Sequence, residues 1–402
     1  DETNHLLAYH YLPGFSPEFL RACNYASHLN IFSRHIINAV GFERPGYDGS
    51  QDYDFELRVV EKARAIRHIP KVLYYCRAGE GSVALDPTNK MYAYEAGRLA
   101  IQEHIQRIGY PGRVEFLPTT YSYRIHYDIV KPGKITVVIP NADHVDLLKK
   151  CVDSILAKTD YGNYDILILE NNSKCNETFA YYASVKANER IRVMTYPFNA
   201  REFNYSALNN YAVKQTDASY ILFMNNDMEV INGSWMTEML MFAQREDVGA
   251  VGAKLYYPNG AIQHSGLLIG LGGHIASSYD HGKDGKETGY MHRLTMPQNF
   301  NAVTAACMML KKADFEAVRG FVDVSFKVGL NDIDLCLKLR ALRRVNVITP
   351  YAELYHHESA TRGLDSAGDS KKRFEEEKRL FRAKWHTLFE QGDEYDHKGL
   401  TL

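Results

Sequence analysis

The sequence predicts an α/β protein built on a mostly parallel sheet, and three observations carry that prediction. From Ile135 onward, short β-branched or apolar runs alternate with amphipathic helical periods. The predicted strands end in amide- and carboxylate-bearing residues, and one supersecondary pattern occurs twice along the chain.

The alternation begins with Ile135 to Pro140 as a strand and Asp146 to Ala157 as a helix. A strand over Tyr164 to Glu170, a helix over Glu177 to Lys186 and a strand over Ile191 to Tyr196 follow. A helix over Ser206 to Gln215 and a strand over Tyr220 to Met224 complete the run. Strands separated by helices belong to parallel sheets with both faces covered. Such sheets bind ligands beyond the carboxyl ends of their strands, here Pro140 to Asp143, Glu170 to Ser173 and Asn225 to Asp227. A further strand is expected at Val248 to Tyr257, followed by a glycine-rich stretch, Gly266 to Gly273. The polar loop Asp280 to Arg293 is expected to be mobile over a ligand. A terminal packing helix, Ser370 to Glu390, carries Phe374, Leu380, Phe381 and Trp385 on one face.

The repeat pairs Ala39-Val40-Gly41-Phe42 and Gln51-Asp52-Tyr53-Asp54 with Ala317-Val318-Arg319-Gly320-Phe321 and Asn331-Asp332-Ile333-Asp334. Each copy runs on to a predicted strand after proline, Pro70 to Tyr75 and Pro350 to Tyr355. The second copy is preceded by the whole strand–helix alternation and the first by almost none of it. The chain also opens on Asp1. It is therefore expected to be a piece of a longer polypeptide in which the first copy has a front half.

Composition narrows the function. A formal net charge of −2 gives no bulk attraction to polyanions, so nucleic acid is not an expected partner. The six cysteines form no CxxC pair and fit a reducing compartment. No apolar run approaches the ~20 residues that span a bilayer. The expectation is a cytoplasmic protein, at the inner face of the cell membrane if at any membrane, with peripheral contact at most.

Three groups of residues are suited to chemistry. Asp227 directly follows an apolar strand, a rigid base from which a carboxylate can hold a divalent cation on phosphate oxygens. Taken alone, Asn225-Asn226-Asp227 is read more simply as an Asx turn or cap. Asp332 and Asp334 open a helix on different faces, so that one can cap it or serve as a base, and dipole-favoured acids explain the pair equally well. His356 and His357 follow a strand, and imidazole is a good ligand for a cation such as Mn²⁺.

Together these residues resemble the inverting family 2 glycosyltransferases, in particular the rhamnosyltransferase-like bacterial branch that builds cell-surface polysaccharides. The resemblance covers about Ile135 to Leu402. It rests on Val138-Ile139-Pro140-Asn141-Ala142-Asp143, Glu170-Asn171-Asn172-Ser173 and Phe203-Asn204-Tyr205-Ser206-Ala207-Leu208-Asn209-Asn210. It continues through Phe223-Met224-Asn225-Asn226-Asp227, Thr304-Ala305-Ala306-Cys307, Asn331-Asp332-Ile333-Asp334 and His356-His357-Glu358-Ser359, in that order.

The resemblance implies a GT-A domain over residues 131–402 and the C-terminal half of a second one over residues 1–130. It implies that Asp227 holds a divalent metal, Mn²⁺ or Mg²⁺, with His356 or His357. Pro140, Asn141, Asp143, Glu170, Asn172 and Asn226 would line the donor, and Arg201, Asn204 and Asn209 would lie near the nucleotide floor. Asp332 would be the general base. The donor would be a UDP- or dTDP-sugar and the acceptor a saccharide, free or lipid-linked. Asn225 stands where the family often has the first aspartate of its metal motif, and Glu170 where aspartate is commoner. Two other readings remain open: a non-catalytic scaffold of polysaccharide assembly, and a nucleotidyltransferase, against which stands the lack of a Gly-rich, Lys-bearing phosphate loop.

Overall fold

The computed structural model of the chain describes residues 9–76, 87–198, 203–357 and 368–396. Two compact units are distinguished, Asp1–Asp128 with Glu394–Leu402, and Ile129–Asp393.

In the first unit, α1 (Pro17–Ala22) starts where Ser16 accepts the Phe19 amide and Pro17 presets the first turn. Helices α2 (Arg34–Val40), α3 (Gln51–Lys62) and α4 (Met91–Arg107) follow, then a hairpin of β1 (Gly112–Leu117) and β2 (Ser122–Tyr127). Phe19, Tyr53, Leu57, Ile101 and Ile105 form its buried centre. The strand predicted over Pro70 to Tyr75 is not formed, and Val72, Leu73, Tyr74 and Tyr75 are exposed. A strand needs a neighbour for its backbone N–H and C=O groups, and among the described residues this segment has none.

The second unit opens with β3 (Ile135–Asn141), α5 (Val145–Lys158), β4 (Tyr164–Glu170), α6 (Asn176–Val185), β5 (Ile191–Thr195), α7 (Tyr205–Val213) and β6 (Tyr220–Met224). These match the predicted elements closely. β7 (Met228–Val230), α8 (Trp235–Ala243), β8 (Val248–Tyr256), β9 (Ile262–His264), β10 (Leu267–Ile269), β11 (Ala276–Ser278) and β12 (Gln298–Phe300) come next. The unit closes with β13 (Cys307–Lys311), α9 (Lys312–Ala317), α10 (Asn331–Ala341), β14 (Val345–His356), α11 (Gly368–Lys384) and α12 (His386–Gln391).

The main sheet runs β12-β14-β8-β13-β6-β3-β4-β5, with β7 added on β14 and β9 on β8. β6, β3, β4 and β5 are parallel, β13 is antiparallel to both β6 and β8, and β14 is parallel to β8. Two reversals restore direction, so β14 ends at the same edge as β3, β4 and β6. That edge gathers Asn141, Glu170, Asp227 and His356. The continuous apolar runs of β3, β4 and β6 suit strands buried on both faces.

One further expectation needs correction. The predicted terminal helix is broken at Trp385, because Trp385 Nε1 and Lys384 Nζ both donate to Asp334 Oδ1, at 2.9 and 2.5 Å. Asp334 is fully buried and thereby ties α10 to α11. Asp334→Ala is expected to lower stability by about 2 kcal/mol, the worth of charged hydrogen bonds to a partly exposed lysine, measurable by urea unfolding. The loop Asp280 to Arg293 makes backbone contacts to the segment 260–262 and a side-chain contact to Gln298. The Ile262 amide donates to the Lys283 carbonyl at 2.7 Å, the Gly285 amide to the Gly260 carbonyl at 3.0 Å, and Arg293 is buried against Gln298. No helix among the described residues is long and apolar enough to cross a membrane.

Candidate active site

The site is built on the carboxyl edge of the sheet. After β6 the chain turns through Asn225 and Asn226 to Asp227, and β7 returns to pair with the end of β14, placing His356 opposite Met228. The His357 amide donates to the Asp227 carbonyl at 2.9 Å and fixes the turn. His356 Nε2 then lies 3.3 Å from Asp227 Oδ1, with both side chains almost wholly buried.

That contact is close but not aligned as a hydrogen bond: Asp227 Oδ1 and His356 Nδ1 are both buried without a hydrogen-bond partner. Buried polar atoms left unpaired are costly unless something else satisfies them. Adjacent ligands of an octahedral cation at about 2.1 Å lie about 3 Å apart, so the pair fits a shared divalent ion. No group of three or more His, Cys, Asp or Glu suited to a metal exists among the described residues. Two protein ligands leave positions for phosphate oxygens and water. His357 faces the other way, with Nε2 3.0 Å from Glu229 Oε2. Of the two histidines, the geometry therefore places only His356 beside Asp227.

Asp332, in the first turn of α10, accepts the Ile333 amide on Oδ1 at 2.9 Å and the Ala305 amide on Oδ2 at 3.2 Å. Although the residue keeps some exposed surface, burial of its side chain pushes the carboxyl above the usual carboxylate range, against the pull of those amides. The strap 304–306 links it to the metal-type turn. The Ala306 carbonyl accepts the Asn225 amide at 3.1 Å, and the Ala305 carbonyl accepts Tyr205 Oη at 3.1 Å. His264 Nε2 accepts the Thr304 amide at 3.3 Å, and burial drives that imidazole down to about 3, so it remains a neutral acceptor. His264 was not singled out from sequence, and Tyr205 and the strap entered only as parts of longer motifs, without a role. A lone histidine in QHS and a tyrosine in a helical period carry no signal by themselves.

On the opposite side, Asn141, Asp143, Glu170 and Asn226 form one network. Asn226 Nδ2 donates to Asn141 Oδ1 at 2.6 Å, and Asn141 Nδ2 to Tyr182 Oη at 2.8 Å. Glu170 accepts Tyr182 Oη at 2.6 Å, Ser173 Oγ at 2.5 Å and the Ser173 amide at 2.6 Å. Asp143, at positive φ, accepts the amides of Cys175 and Lys174, which hold its carboxyl below the ordinary value. Pro140 ends the buried run of β3, and Asn172 is exposed beside Asn171.

Glu170 thus meets protein donors with both oxygens, Oε2 taking two of them and Oε1 the Ser173 amide alone. Tyr182→Phe removes one donor from this buried carboxylate. It is expected to cost about 1.5–3 kcal/mol in urea unfolding. Asn204 and Asn209 also make hydrogen bonds within the fold. Asn204 caps α7 and donates to the Asp323 carbonyl at 3.0 Å, while Asn209 is fully buried and donates to the Tyr205 carbonyl at 2.9 Å. Asn209 Oδ1 is buried without a hydrogen-bond partner. Arg201 lies outside the described residues.

Residues 136–318 match glycosyl transferase family 2. The chain is 43% identical over 382 residues to the uncharacterized protein y4gI of Sinorhizobium fredii, covering 94% of this chain and 42% of that protein. It is 36% identical over 366 residues to the O-antigen biosynthesis protein RfbC of Myxococcus xanthus, covering 91% of this chain and 28% of that one. The chain therefore spans less than half the length of these curated relatives. The crystal structure of GalNAc-T7 with UDP, GalNAc and Mn²⁺ overlaps 69% of this chain and 53% of its own, with 14% identity and a TM-score of 0.49. With its mixed α/β sheet and its matched segment running from the first strand of that sheet past the Asp227 turn, the chain carries a glycosyltransferase domain of family 2.

Proposed function

We propose that the second unit catalyses metal-dependent, inverting transfer of a sugar from a nucleotide-diphosphate sugar, UDP- or dTDP-linked, to a saccharide acceptor. The observation that carries this reading is the pair of edge sites joined by one strap: Asp227 with His356 on one side, Asp332 on the other. Asp227 and His356 hold the divalent ion, Mn²⁺ or Mg²⁺, which supplies charge stabilisation for the departing diphosphate. Asp332, ionised, takes the proton of the acceptor hydroxyl as its oxygen attacks the anomeric carbon. No covalent enzyme intermediate is required, and displacement in line inverts the anomeric centre. The network of Asn141, Asp143 and Asn226 borders the nucleoside.

The similarity to an O-antigen biosynthesis protein supports a role in bacterial cell-surface polysaccharide synthesis. In this reading the acceptor is a saccharide, free or lipid-linked, and the reaction takes place in the cytoplasm or at the inner face of the membrane. The first test is thermal unfolding with Mn²⁺ plus UDP or dTDP. A ligand at 100 times its dissociation constant adds about 2.7 kcal/mol of stability, a shift of a few degrees in a domain of this size. No shift with any uridine or thymidine diphosphate, with or without Mn²⁺, would contradict the donor assignment.

The raised carboxyl of Asp332 adds a pH prediction. A base must be ionised, so the acid limb of the transfer rate should lie at higher pH than an ordinary aspartate gives. The stability effect has the opposite sense. An acid whose folded value is raised costs stability once ionised, and that cost is relieved as pH falls through the folded value. A rate profile of kcat/KM with its acid limb near 4 would show that burial does not tune this group.

A further inference from the structure

The strap at the centre of the site belongs to no strand. Residues 303–306 lie between β12 and β13 as an irregular span, so their backbone groups need partners outside a ladder. Side chains and one turn supply them. The Thr304 amide donates to His264 Nε2 at 3.3 Å, the Ala305 amide to Asp332 Oδ2 at 3.2 Å and the Ala306 amide to Thr304 Oγ1 at 3.3 Å. The Ala305 carbonyl accepts Tyr205 Oη and the Ala306 carbonyl the Asn225 amide, each at 3.1 Å. Three side chains, His264, Asp332 and Tyr205, therefore set the shape of this span where sheet pairing does not.

His264 comes from a frame of its own. It closes β9, where it pairs with Leu255 of β8. Gly266 follows at φ 112°, and a Cβ there would stand 2.3 Å from the Phe300 ring, so the turn after His264 packs directly on β12. Ser265 Oγ donates to the Tyr279 carbonyl, and the Leu267 amide to the Ala302 carbonyl at 3.0 Å. His264 is 2% exposed. Burial, and to a smaller degree the nearby His356, disfavour a positive charge on its ring. Nε2 accordingly carries no proton and accepts, which places the ring proton on Nδ1. An imidazolium would instead turn a donor on the Thr304 amide.

One hydrogen bond from this frame reaches both halves of the site. Thr304 precedes Ala305, whose amide holds Asp332, and lies two residues before Ala306, whose carbonyl holds the amide of Asn225 at the start of the turn to Asp227. Without His264 the Thr304 amide loses its acceptor, and the span can find another only by moving. That movement displaces the amide that supports Asp332. Placement of the reacting groups is what such a shift spoils, because a misplacement of about 1 Å costs on the order of 100-fold in rate.

We propose that His264 is a positioning residue for sugar transfer, fixing strap 304–306 through the Thr304 amide so that the Asp332 carboxylate and the Asp227 turn keep their relative placement. In this role His264 touches neither donor nor acceptor and exchanges no proton. The proposal rests on the roles assigned above to Asp332 and Asp227, and it adds β9 to the elements, β6 and α10, that supply those two acids. A histidine serving the fold alone would stabilise the unit without favouring one step of the reaction, and that difference is measurable.

The test follows transfer from UDP- and dTDP-hexoses to cell-envelope saccharides, binding of UDP and dTDP with Mn²⁺, and urea unfolding, all on the full-length protein. His264→Leu removes the acceptor and should lower kcat by about 10- to 100-fold in protein that remains folded, with KM for the donor and nucleotide affinity within about threefold of the original. His264→Gln, whose Oε1 can take the place of Nε2, should recover kcat to within about fivefold. Tyr205→Phe frees the Ala305 carbonyl, so its loss and that of His264→Leu should combine to less than their product, since both act on one strap. If His264→Leu does not fold, His264→Asn, too short to reach the Thr304 amide, replaces it. An unchanged kcat, equal losses in His264→Leu and His264→Gln, a loss confined to KM, or multiplicative losses in the double variant would each overturn the proposal. Transfer indifferent to Asp332→Asn, or no transfer by the unmodified protein, would instead sink the reading of the second unit, so the two failures are distinguishable.

Discussion

Replacing Asp332 by asparagine is expected to lower sugar transfer by about 10²–10⁴-fold while leaving binding of Mn²⁺ and nucleoside diphosphate unchanged. Asparagine is nearly isosteric, but its single carbonyl oxygen accepts only one of the Ala305 and Ile333 amides, which Asp332 takes on separate oxygens. What is lost is the capacity to hold a proton. The loss should fall on kcat, because an interaction made only in the transition state lowers kcat and kcat/KM together. Burial disfavours the ionised form of Asp332, and its removal offsets the amide contact that asparagine gives up, so the unfolding temperature near neutral pH should change by only a few degrees. A variant that transfers sugar at more than a tenth of the original rate would remove Asp332 from the base role. One that also loses nucleotide binding would make it a structural residue.

Asp227→Ala is expected to abolish the Mn²⁺-dependent part of nucleotide-diphosphate binding and to reduce transfer by about 10³-fold or more, the loss of several kcal/mol of charge stabilisation. The effect should exceed that of His356→Ala, because His356 brings an uncharged ligand and Asp227 a full negative charge. His357→Ala should matter little to the metal, since its ring is engaged with Glu229. Isothermal titration of UDP or dTDP with and without Mn²⁺ separates the three. Equal affinity for nucleotide with and without Mn²⁺ in the unmodified protein would end the metal assignment. The Asp227 substitution should not unfold the unit, because its side chain makes no hydrogen bond through Oδ1 and the turn is held by backbone contacts.

Much of the scaffold was legible from residue pattern. The strand–helix alternation from Ile135 to Met224 was readable because parallel strands covered on both faces are continuous apolar runs, and helices between them keep a 3.6-residue period. The antiparallel insertion of β13 and the pairing of β7 with β14 were not readable, since both depend on contacts between residues far apart in sequence. The same holds for the site. Asp227 and Asp332 were visible as acids at element ends, but Tyr182, Tyr205 and His264 were not. Asn204, Asn209 and Glu170 were expected at a ligand, and each also hydrogen-bonds within the protein, which no local pattern announces.

The sequence by itself determined the α/β class, the order of strands and helices through β6, the twofold repeat and the identity of the acids at the sheet edge. These follow from local periodicity and from residues adjacent in the chain. Only the tertiary structure decided which histidine faces Asp227, which of the two acids in each copy is buried as an anchor, and which segments of the first copy lack a sheet to pair with. Each of those depends on hydrogen bonds and burial between distant parts of the chain, which no local pattern encodes.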